Sequence, residues 1–242
     1  MSIGRDTSFT WIGHAGVEIR TPGGKIVLID PWYGNPTSPR PASTVDRCDV
    51  LLVTHGHADH MGDAIGLASR LRPAWPCIHE MSLWLARQLP GGADQVTGMN
   101  KGGTVAVAGL RVSMTGAAHS AGNWNADGGV PLYLGEPAGF VIELENGFRV
   151  YHAGDTDVFG DMTLIRDRFR PDVALLPIGG HYTMDPEGAA IAAELLGVRD
   201  VLPIHWGTFP ILAGTPAALE SAIRARGGTA VVHHWWPGDT VD

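Results

Sequence analysis

Short apolar runs separated by Gly- and Pro-containing turns occupy the first part of the chain. SFTWIG, GVEIRT and KIVLID have the length of β-strands, and TPGGK forms a turn between the last two. GTVAVAGLRVSMTG and AGFVIELENGFRVYHAG each carry a Gly or Asn-Gly turn in the middle, which predicts two more hairpins. Between these strands, DHMGDAIGLASRLRP and EMSLWLARQLP space their apolar residues as helices do and end at Pro.

The second part of the chain alternates between the two patterns. Helical spacing occurs in DMTLIRDRF, DPEGAAIAAELLG and TPAALESAIRARGG, and strand-like runs occur in DVALLPIGG, DVLPIHWG and TAVVHHW. Such alternation is typical of parallel strands joined by helices. No linker-like or low-complexity segment interrupts it, so we predict one domain over residues 1–242, with two sheets packed face to face and helices outside.

The amino-acid composition limits the classes of partner that we expect the protein to bind. Of the 242 residues, 44% are hydrophobic and 17% are charged, with a net charge of -8, which describes a soluble globular protein with a substantial core. Binding of nucleic acid needs clustered Lys and Arg, and this chain has no basic run. We therefore expect a small-molecule substrate and no nucleic-acid or membrane partner, and we leave homo-oligomerisation open.

Two further features predict a cytoplasmic protein. The N-terminus lacks the basic start and apolar stretch of a secretory signal, and no apolar run reaches the ~18 residues that cross a membrane. Cys48 and Cys77 are the only cysteines, and they lack the spacing of a metal or disulfide motif.

Ligand-type side chains recur where the predicted strands end. The motif THGHADH, residues 54–60, follows the apolar run DVLLV directly, although the whole chain has only 11 histidines. Further strands lead to His119, Asp155, His181 and His205. Residues at strand ends meet at one edge of a sheet, where active sites are commonly assembled. We therefore expect these side chains to form one site.

The order of these motifs resembles the metallo-β-lactamase superfamily. THGHADH, a lone His about sixty residues later, GDT and a late His follow the order of that superfamily along the whole chain. WIGHAG, LIDPW, IGGHYTMDP and PIHWGTFP are similar to a bacterial branch of small metal-dependent hydrolases related to L-ascorbate-6-phosphate lactonase. The resemblance implies an α/β fold, an αββα four-layer sandwich of two mixed β-sheets flanked by helices.

The same resemblance implies two divalent metal ions per chain, bound by seven residues. One ion is expected on His55, His57 and His119, the second on Asp59, His60 and His205, with Asp155 bridging both. Imidazole and carboxylate ligands suit Zn²⁺, our first expectation, and also Mn²⁺, Ni²⁺ or Fe²⁺. Two such ions share a bridging hydroxide and polarise the scissile oxygen. We therefore expect a hydrolase that opens a small-molecule lactone or ester.

Three residues are candidates for catalysis. Asp59 is expected to orient the nucleophile or accept its proton. His14, in GHAG, is expected to bind substrate or donate a proton, the alternative being a loop histidine satisfied by backbone. His181, in GGHYTM, is expected to stabilise an oxyanion or the leaving group, and Tyr182 is a weaker candidate for the same role.

Several other residues are interpreted as neighbours of the site or as packing. Asp30 either orients a ligand histidine or starts a turn. Asn123 and Trp124 are interpreted as a pocket loop. Trp32, Tyr33 and Trp206 are interpreted as an aromatic wall or simply as core. His152 is expected to pack or to support the site, and no role is expected for His79, His233 and His234.

Two alternative functions stay open at this point. A phosphodiesterase or nuclease of the same superfamily predicts a basic groove, which 17 basic against 25 acidic residues do not favour. An iron-dependent oxidoreductase of the superfamily is the other. Its H-x-E-x-D-H variant carries Glu where this chain has His57, which favours hydrolysis without excluding oxygen chemistry.

Overall fold

A computed structural model describes residues 3–4, 6–91, 94–123 and 130–242. Among these residues, no helix combines the length and the apolar character that crossing a membrane requires.

One sheet has five strands in the order β14-β1-β2-β3-β4. All neighbours are antiparallel except β3 and β4, which are parallel. The TPGGK turn joins β2 to β3 as predicted, with the Thr21 amide donating to the Lys25 carbonyl at 2.9 Å. The strands are β1 Ser8–Gly13, β2 Gly16–Arg20, β3 Ile26–Ile29, β4 Val50–Leu52 and β14 Thr240–Val241.

The second sheet has seven strands in the order β13-β12-β11-β10-β9-β8-β7. Strands β7 to β10 pair antiparallel and contain the two predicted hairpins, whereas β10 to β13 pair parallel. The strands are β7 Thr104–Val107, β8 Leu110–Gly116, β9 Ala138–Glu143, β10 Arg149–His152, β11 Val173–Pro177, β12 Asp200–Ile204 and β13 Val231–Val232.

A parallel pair, β5 Trp75–Ile78 and β6 Val96–Met99, forms a small third sheet. A bridge between Val50 and Ala74 places this pair beside β4. The sequence patterns did not predict these strands, because Pro76 removes a backbone donor and Gly98 weakens strand propensity. Their pairing is decided by the neighbouring strand and by the helix between them.

Helices cover the sheets on the outside. The helix between β5 and β6 packs on both strands. Of the three C-terminal helices, the last two contact the second sheet, and the first packs against the second of the three. Together the two sheets and these helices form the predicted metallo-β-lactamase sandwich, with a continuous apolar core that includes strands such as β3 and β9. The helices are α1 Ala58–Met61, α2 Ala64–Leu71, α3 His79–Gln88, α4 Met162–Phe169, α5 Pro186–Leu196 and α6 Pro216–Ala225.

The sequence predicts one continuous helix after the histidine motif, and this prediction is wrong in one respect. The helix is divided into α1 and α2 by Gly62, whose φ of 36° and ψ of -117° lie outside the helical region. The break lets the Asp63 carboxylate turn back and accept the Tyr33 amide at 2.7 Å. The chain thus changes direction immediately after the last residue of the motif.

Candidate metal centre

The seven expected ligands converge from both large sheets. The segment after β4 carries four of them, and β8, β10 and β12 of the other sheet lead to His119, Asp155 and His205. The side chains of His55, His60, Asp155 and His205 are buried, whereas His57, Asp59 and His119 are partly open to a cavity. Strand ends from two sheets therefore supply one site.

One group consists of three histidines. Ring nitrogens of His55, His57 and His119 all lie within 4.8 Å of one another. His55 Nε2 and His57 Nδ1 are 2.8 Å apart, and the His57 and His119 ring centroids are 5.3 Å apart. Three convergent imidazoles leave one side open, which is the geometry of a catalytic rather than a closed structural metal site.

A second group surrounds Asp59. Its Oδ2 lies 3.8 Å from His60 Nε2 and 4.0 Å from His205 Nε2. His14 joins this group, with its Nε2 at 2.9 Å from the same oxygen. The second group thus contains the three expected ligands and one residue that was expected only as a substrate contact or proton donor.

Asp155 lies between the two groups. Its Oδ2 is 3.1 Å from His205 Nε2, 3.2 Å from His60 Nε2 and 3.6 Å from His119 Nε2. This carboxylate therefore contacts histidines of both groups, which is the position required of a bridging ligand.

Buried atoms without a hydrogen-bond partner test whether these residues suit metal ions. Among the described residues, they include His60 Nε2, both ring nitrogens of His205, and Asp155 Oδ1. Leaving such atoms unsatisfied costs about 1–3 kcal/mol each, so native proteins rarely do so without a ligand. Bound divalent ions would satisfy Nε2 and Oδ1 atoms at this position, and the residues present fit the expected metals.

Electrostatics keeps three of the imidazoles neutral. Burial, together with neighbouring histidines, lowers the pKa values of His55, His57 and His119. Asp155 behaves in the opposite way: burial alone would raise its pKa, but His205 and His60 hold it well below its ordinary value. Neutral imidazoles at His55, His57 and His119 and an ionised Asp155 are the protonation states in which such side chains bind metal. The pKa of His60 is raised instead, because Asp155 and Asp30 outweigh its burial.

Asp30 supports two of the ligands from behind. Its Oδ2 accepts from His60 Nδ1 at 2.8 Å and from the Thr54 hydroxyl at 2.7 Å, while its Oδ1 accepts the Thr54 amide at 2.7 Å. The Thr54 oxygen in turn lies 3.1 Å from His55 Nδ1. Because Nδ1 of each histidine is occupied in this way, Nε2 is left as the free lone pair facing the site.

His14 is held between two partners. Its Nε2 faces Asp59, and its Nδ1 lies 3.0 Å from the Thr208 hydroxyl. Burial lowers the pKa of His14 to about 4, although the hydrogen bond with Asp59 acts in the other direction. A neutral ring that donates from Nε2 to Asp59 and accepts from Thr208 satisfies both contacts. The ring is therefore bonded to side chains, whereas the alternative interpretation had it bonded to backbone.

Four of these loop residues adopt left-handed backbone conformations. The φ angles are 54° at His14, 47° at Asp30, 57° at His181 and 55° at His205. His and Asp tolerate this region better than most residues, yet it remains strained. The His205 amide donates to the His14 carbonyl at 2.8 Å, which joins two of these strained loops.

His181 lies apart from the ligand groups. Its side chain is exposed and packs against the Tyr182 ring, with centroids 4.4 Å apart. Tyr182 lines the cavity, whereas His181 is absent from the described lining. The catalytic role of His181 stays a prediction.

The other histidines have partners of their own. The buried His152 ring lies 3.1 Å from the Ala15 carbonyl and accepts the Gly154 amide through Nδ1, which gives it a packing role. His233 pairs with Asp200 at 2.8 Å. His79 begins α3, and His234 lies 3.5 Å from Glu220.

A cavity of about 320 Å³ opens onto the two ligand groups. Its volume suits a small molecule. The lining consists of His14, His57, Asp59, His119, Ser120, Asp155, Tyr182, His205, Phe209 and Leu212.

Comparison with known proteins places this site in a family. The beta-lactamase superfamily domain matches residues 25–206. A UPF0173 metal-dependent hydrolase of Koribacter versatilis is 46% identical over 232 residues, which cover 96% of each chain. One from Roseiflexus castenholzii is 43% identical over 244 residues and 99% of each chain. The chain belongs to the UPF0173 metal-dependent hydrolases of the beta-lactamase superfamily.

A solved structure supports the same assignment. The chain is similar to a metallo hydrolase from the hyperthermophilic archaeon Ignicoccus hospitalis, with 36% identity, a TM-score of 0.84 and coverage of 97% of each chain. The predicted superfamily and fold are thereby confirmed. The kinship with L-ascorbate-6-phosphate lactonase stays a prediction.

The three aromatic residues considered as a wall of this hydrolase site do not line its cavity. Trp206 is buried against Trp11, with ring centroids 5.3 Å apart, and Tyr33 is buried as well. Trp32 lies edge-on to His14, with ring centroids 5.3 Å apart, and is absent from the described lining. Of the two interpretations, an aromatic wall or simply core, the second therefore applies to Trp206 and Tyr33.

Phe209 and Leu212 form the wall instead, and the sequence analysis missed them. Their only distinguishing feature in the sequence is that they follow His205 in HWGTFPIL. Asn123 pairs with Leu132 through two backbone hydrogen bonds and is absent from the described lining, and Trp124 falls outside the described residues.

Proposed function

We propose that the chain is a dinuclear metal-dependent hydrolase that opens a small-molecule lactone or ester. The observation that carries this proposal is the pair of ligand groups joined by Asp155, whose buried Oδ1 has no hydrogen-bond partner. A single ion needs only one of the two groups. Six ligand-type residues arranged around the Asp155 carboxylate favour two.

Each residue group has a separate task in this proposal. His55, His57 and His119 hold one ion, Asp59, His60 and His205 hold the other, and Asp155 holds both. When bound, two divalent ions lower the pKa of a shared water towards neutrality and polarise the oxygen of the scissile group.

Asp59 is the proposed proton acceptor. Its carboxylate lines the cavity, and its side chain is 36% exposed, so it reaches both solvent and substrate. Burial would raise its pKa, but the hydrogen bond from His14 and the neighbouring His60 hold the pKa below its ordinary value. Asp59 is thus ionised and held by His14 Nε2, in a position to orient an attacking water or accept its proton.

Metal content tests the dinuclear assignment. Protein loaded with Zn²⁺, and separately with Mn²⁺, should contain close to two ions per chain by elemental analysis. Asp155→Asn should lower this ratio and abolish hydrolysis, because the bridging carboxylate is lost. Asp157→Asn, an exposed neighbour, is the matched control and should retain both ions. Full activity in metal-free protein contradicts the proposal.

A substrate panel tests the reaction class. We expect δ-valerolactone and p-nitrophenyl acetate to be hydrolysed by the loaded protein, and bis-p-nitrophenyl phosphate to be hydrolysed more slowly. The reverse order favours the phosphodiesterase alternative. Purification with iron and consumption of oxygen favour the oxidoreductase alternative.

A further inference from the structure

The segments that build the site contain no lysine or arginine. This holds for residues 54–63, 116–123, 153–161, 177–186 and 204–215. The segment after β3 has two basic residues, and both are ion-paired: Arg40 with Glu18 and Arg47 with Asp49. Arg40 also lies 5.7 Å from the Tyr33 ring centroid. A charged group on a substrate therefore finds no cationic side chain in these segments.

The cavity offers an apolar wall instead. Phe209 is 39% exposed and Tyr182 is 60% exposed, and Leu212 lines the same cavity. The Phe209 ring lies 6.1 Å from His14 and 6.3 Å from Trp32, measured between centroids. Exposed aromatic side chains beside a polar centre are typical of ligand sites, because they exchange water for an apolar group on binding.

We propose that the part of the substrate remote from the scissile bond is uncharged and apolar, an alkyl or aryl group that packs against Phe209 and Tyr182. This proposal rests on the hydrolase function above and adds the substrate class. Phe209 is its specificity-determining residue, and phosphorylated or carboxylated substrates are disfavoured.

The physical reason is the cost of desolvating a charge. A phosphate or carboxylate placed against this wall loses water and gains no ion pair, whereas an apolar group gains free energy from its buried area. The protein's net charge of -8 adds repulsion. The metal ions attract anionic oxygen only at the reacting group, so they do not compensate for a charge elsewhere.

Binding of metal-chelating hydroxamates tests the wall without requiring turnover. Three probes share one chelating group: acetohydroxamate, 4-phenylbutyrohydroxamate and succinate monohydroxamate. With Zn²⁺-loaded protein in a calorimeter, the phenyl compound should bind at least about tenfold tighter than acetohydroxamate, a modest share of what burying a ring supplies. The succinate compound should bind no tighter than acetohydroxamate.

Two substitutions localise the effect. Phe209→Ala should remove most of the preference for the phenyl compound, and Phe209→Lys should transfer the preference to the succinate compound. Leu83→Ala and Leu83→Lys change an exposed residue on α3 and serve as matched controls that keep the wild-type order.

The outcomes separate this inference from the proposed function. The apolar substrate class alone is overturned if the wild-type protein holds two ions but shows no preference for the phenyl compound. This applies whether all probes bind equally or none binds. Tighter binding of the succinate compound does the same. A protein that takes up no metal overturns the proposed function and this inference together.

Discussion

At the scale of single residues, Asp30 decides how two of the ligands face the site. It is fully buried and accepts three hydrogen bonds, from the Thr54 amide, the Thr54 hydroxyl and His60 Nδ1. Such partners orient a ligand ring and raise its affinity for metal. Asp30 therefore belongs to the metal site although it does not line the cavity.

Replacing Asp30 by Asn tests this role. The amide nitrogen cannot accept from His60 Nδ1, so one buried donor is left without a partner. We expect the free energy of unfolding to fall by about 2–4 kcal/mol, the range for breaking a buried charged contact. We also expect weaker uptake of the second metal ion. Urea titration and elemental analysis measure the two effects.

Asp46→Asn is the control for the Asp30 variant, because Asp46 is an exposed acid in the same part of the chain. Equal metal content in the two variants contradicts the positioning role of Asp30. A loss of stability alone then identifies Asp30 as a purely structural carboxylate.

Many of the residues that form the site can be identified from the sequence. THGHADH and the histidines and aspartate at later strand ends point to the ligand set, because metal binding needs these side-chain types at element ends. The hydrogen bonds of His14 with Asp59 and Thr208 were not visible. They join residues 45 and 194 positions apart, and no local pattern encodes such contacts.

At the scale of elements, the break between α1 and α2 is set by one glycine. A Cβ on Gly62 would lie 2.7 Å from Trp32 Cα and 2.9 Å from the Pro31 carbonyl oxygen. Only a residue without a side chain allows the chain to turn this close to the segment after β3. This change of direction positions Asp59 and His60, the last two residues of THGHADH.

Two alanine substitutions four positions apart should have opposite effects. Gly62→Ala should lower the free energy of unfolding by about 2–4 kcal/mol, because it adds a backbone clash to an unfavourable φ. Gly66→Ala, inside α2 with nothing within 4 Å of the added carbon, should raise it by about 0.5–1 kcal/mol. Denaturant unfolding compares both with the wild type, and equal effects contradict the steric argument.

Elements with strong local patterns were predicted well, and those without were not. The three hairpins and α4 to α6 have turn residues, caps or helical spacing that act locally. The strands β5, β6 and β14 have none of these. They pair because other strands present free edges to them, and this is a tertiary effect.

At the scale of the whole molecule, the ligand set connects the two large sheets. His55, His57, Asp59 and His60 follow β4 of the five-stranded sheet, and His119, Asp155 and His205 follow strands of the seven-stranded sheet. Metal ions held by these residues would cross-link the two sheets. Metal binding should therefore stabilise the fold as a unit.

Removal of metal tests this coupling. At a metal concentration one hundred times the dissociation constant, binding adds about 2.7 kcal/mol to stability. For a domain of this length, dipicolinate treatment should then lower Tm by about 5–10 °C, with recovery when Zn²⁺ is restored. Differential scanning calorimetry measures the shift. Asp155→Asn should respond little to either treatment, and an unchanged Tm in the wild type contradicts coupling between the sheets.

The sequence by itself determined the superfamily, the order of strands and helices with local signals, and the residue types that can bind metal. These follow from short-range patterns and from a dense motif. Only the tertiary structure decided that Asp155 lies between both groups, that His14 pairs with Asp59, and that Phe209 rather than Trp206 lines the cavity. The reason is physical: these contacts join segments far apart in sequence, and their geometry depends on how two sheets pack.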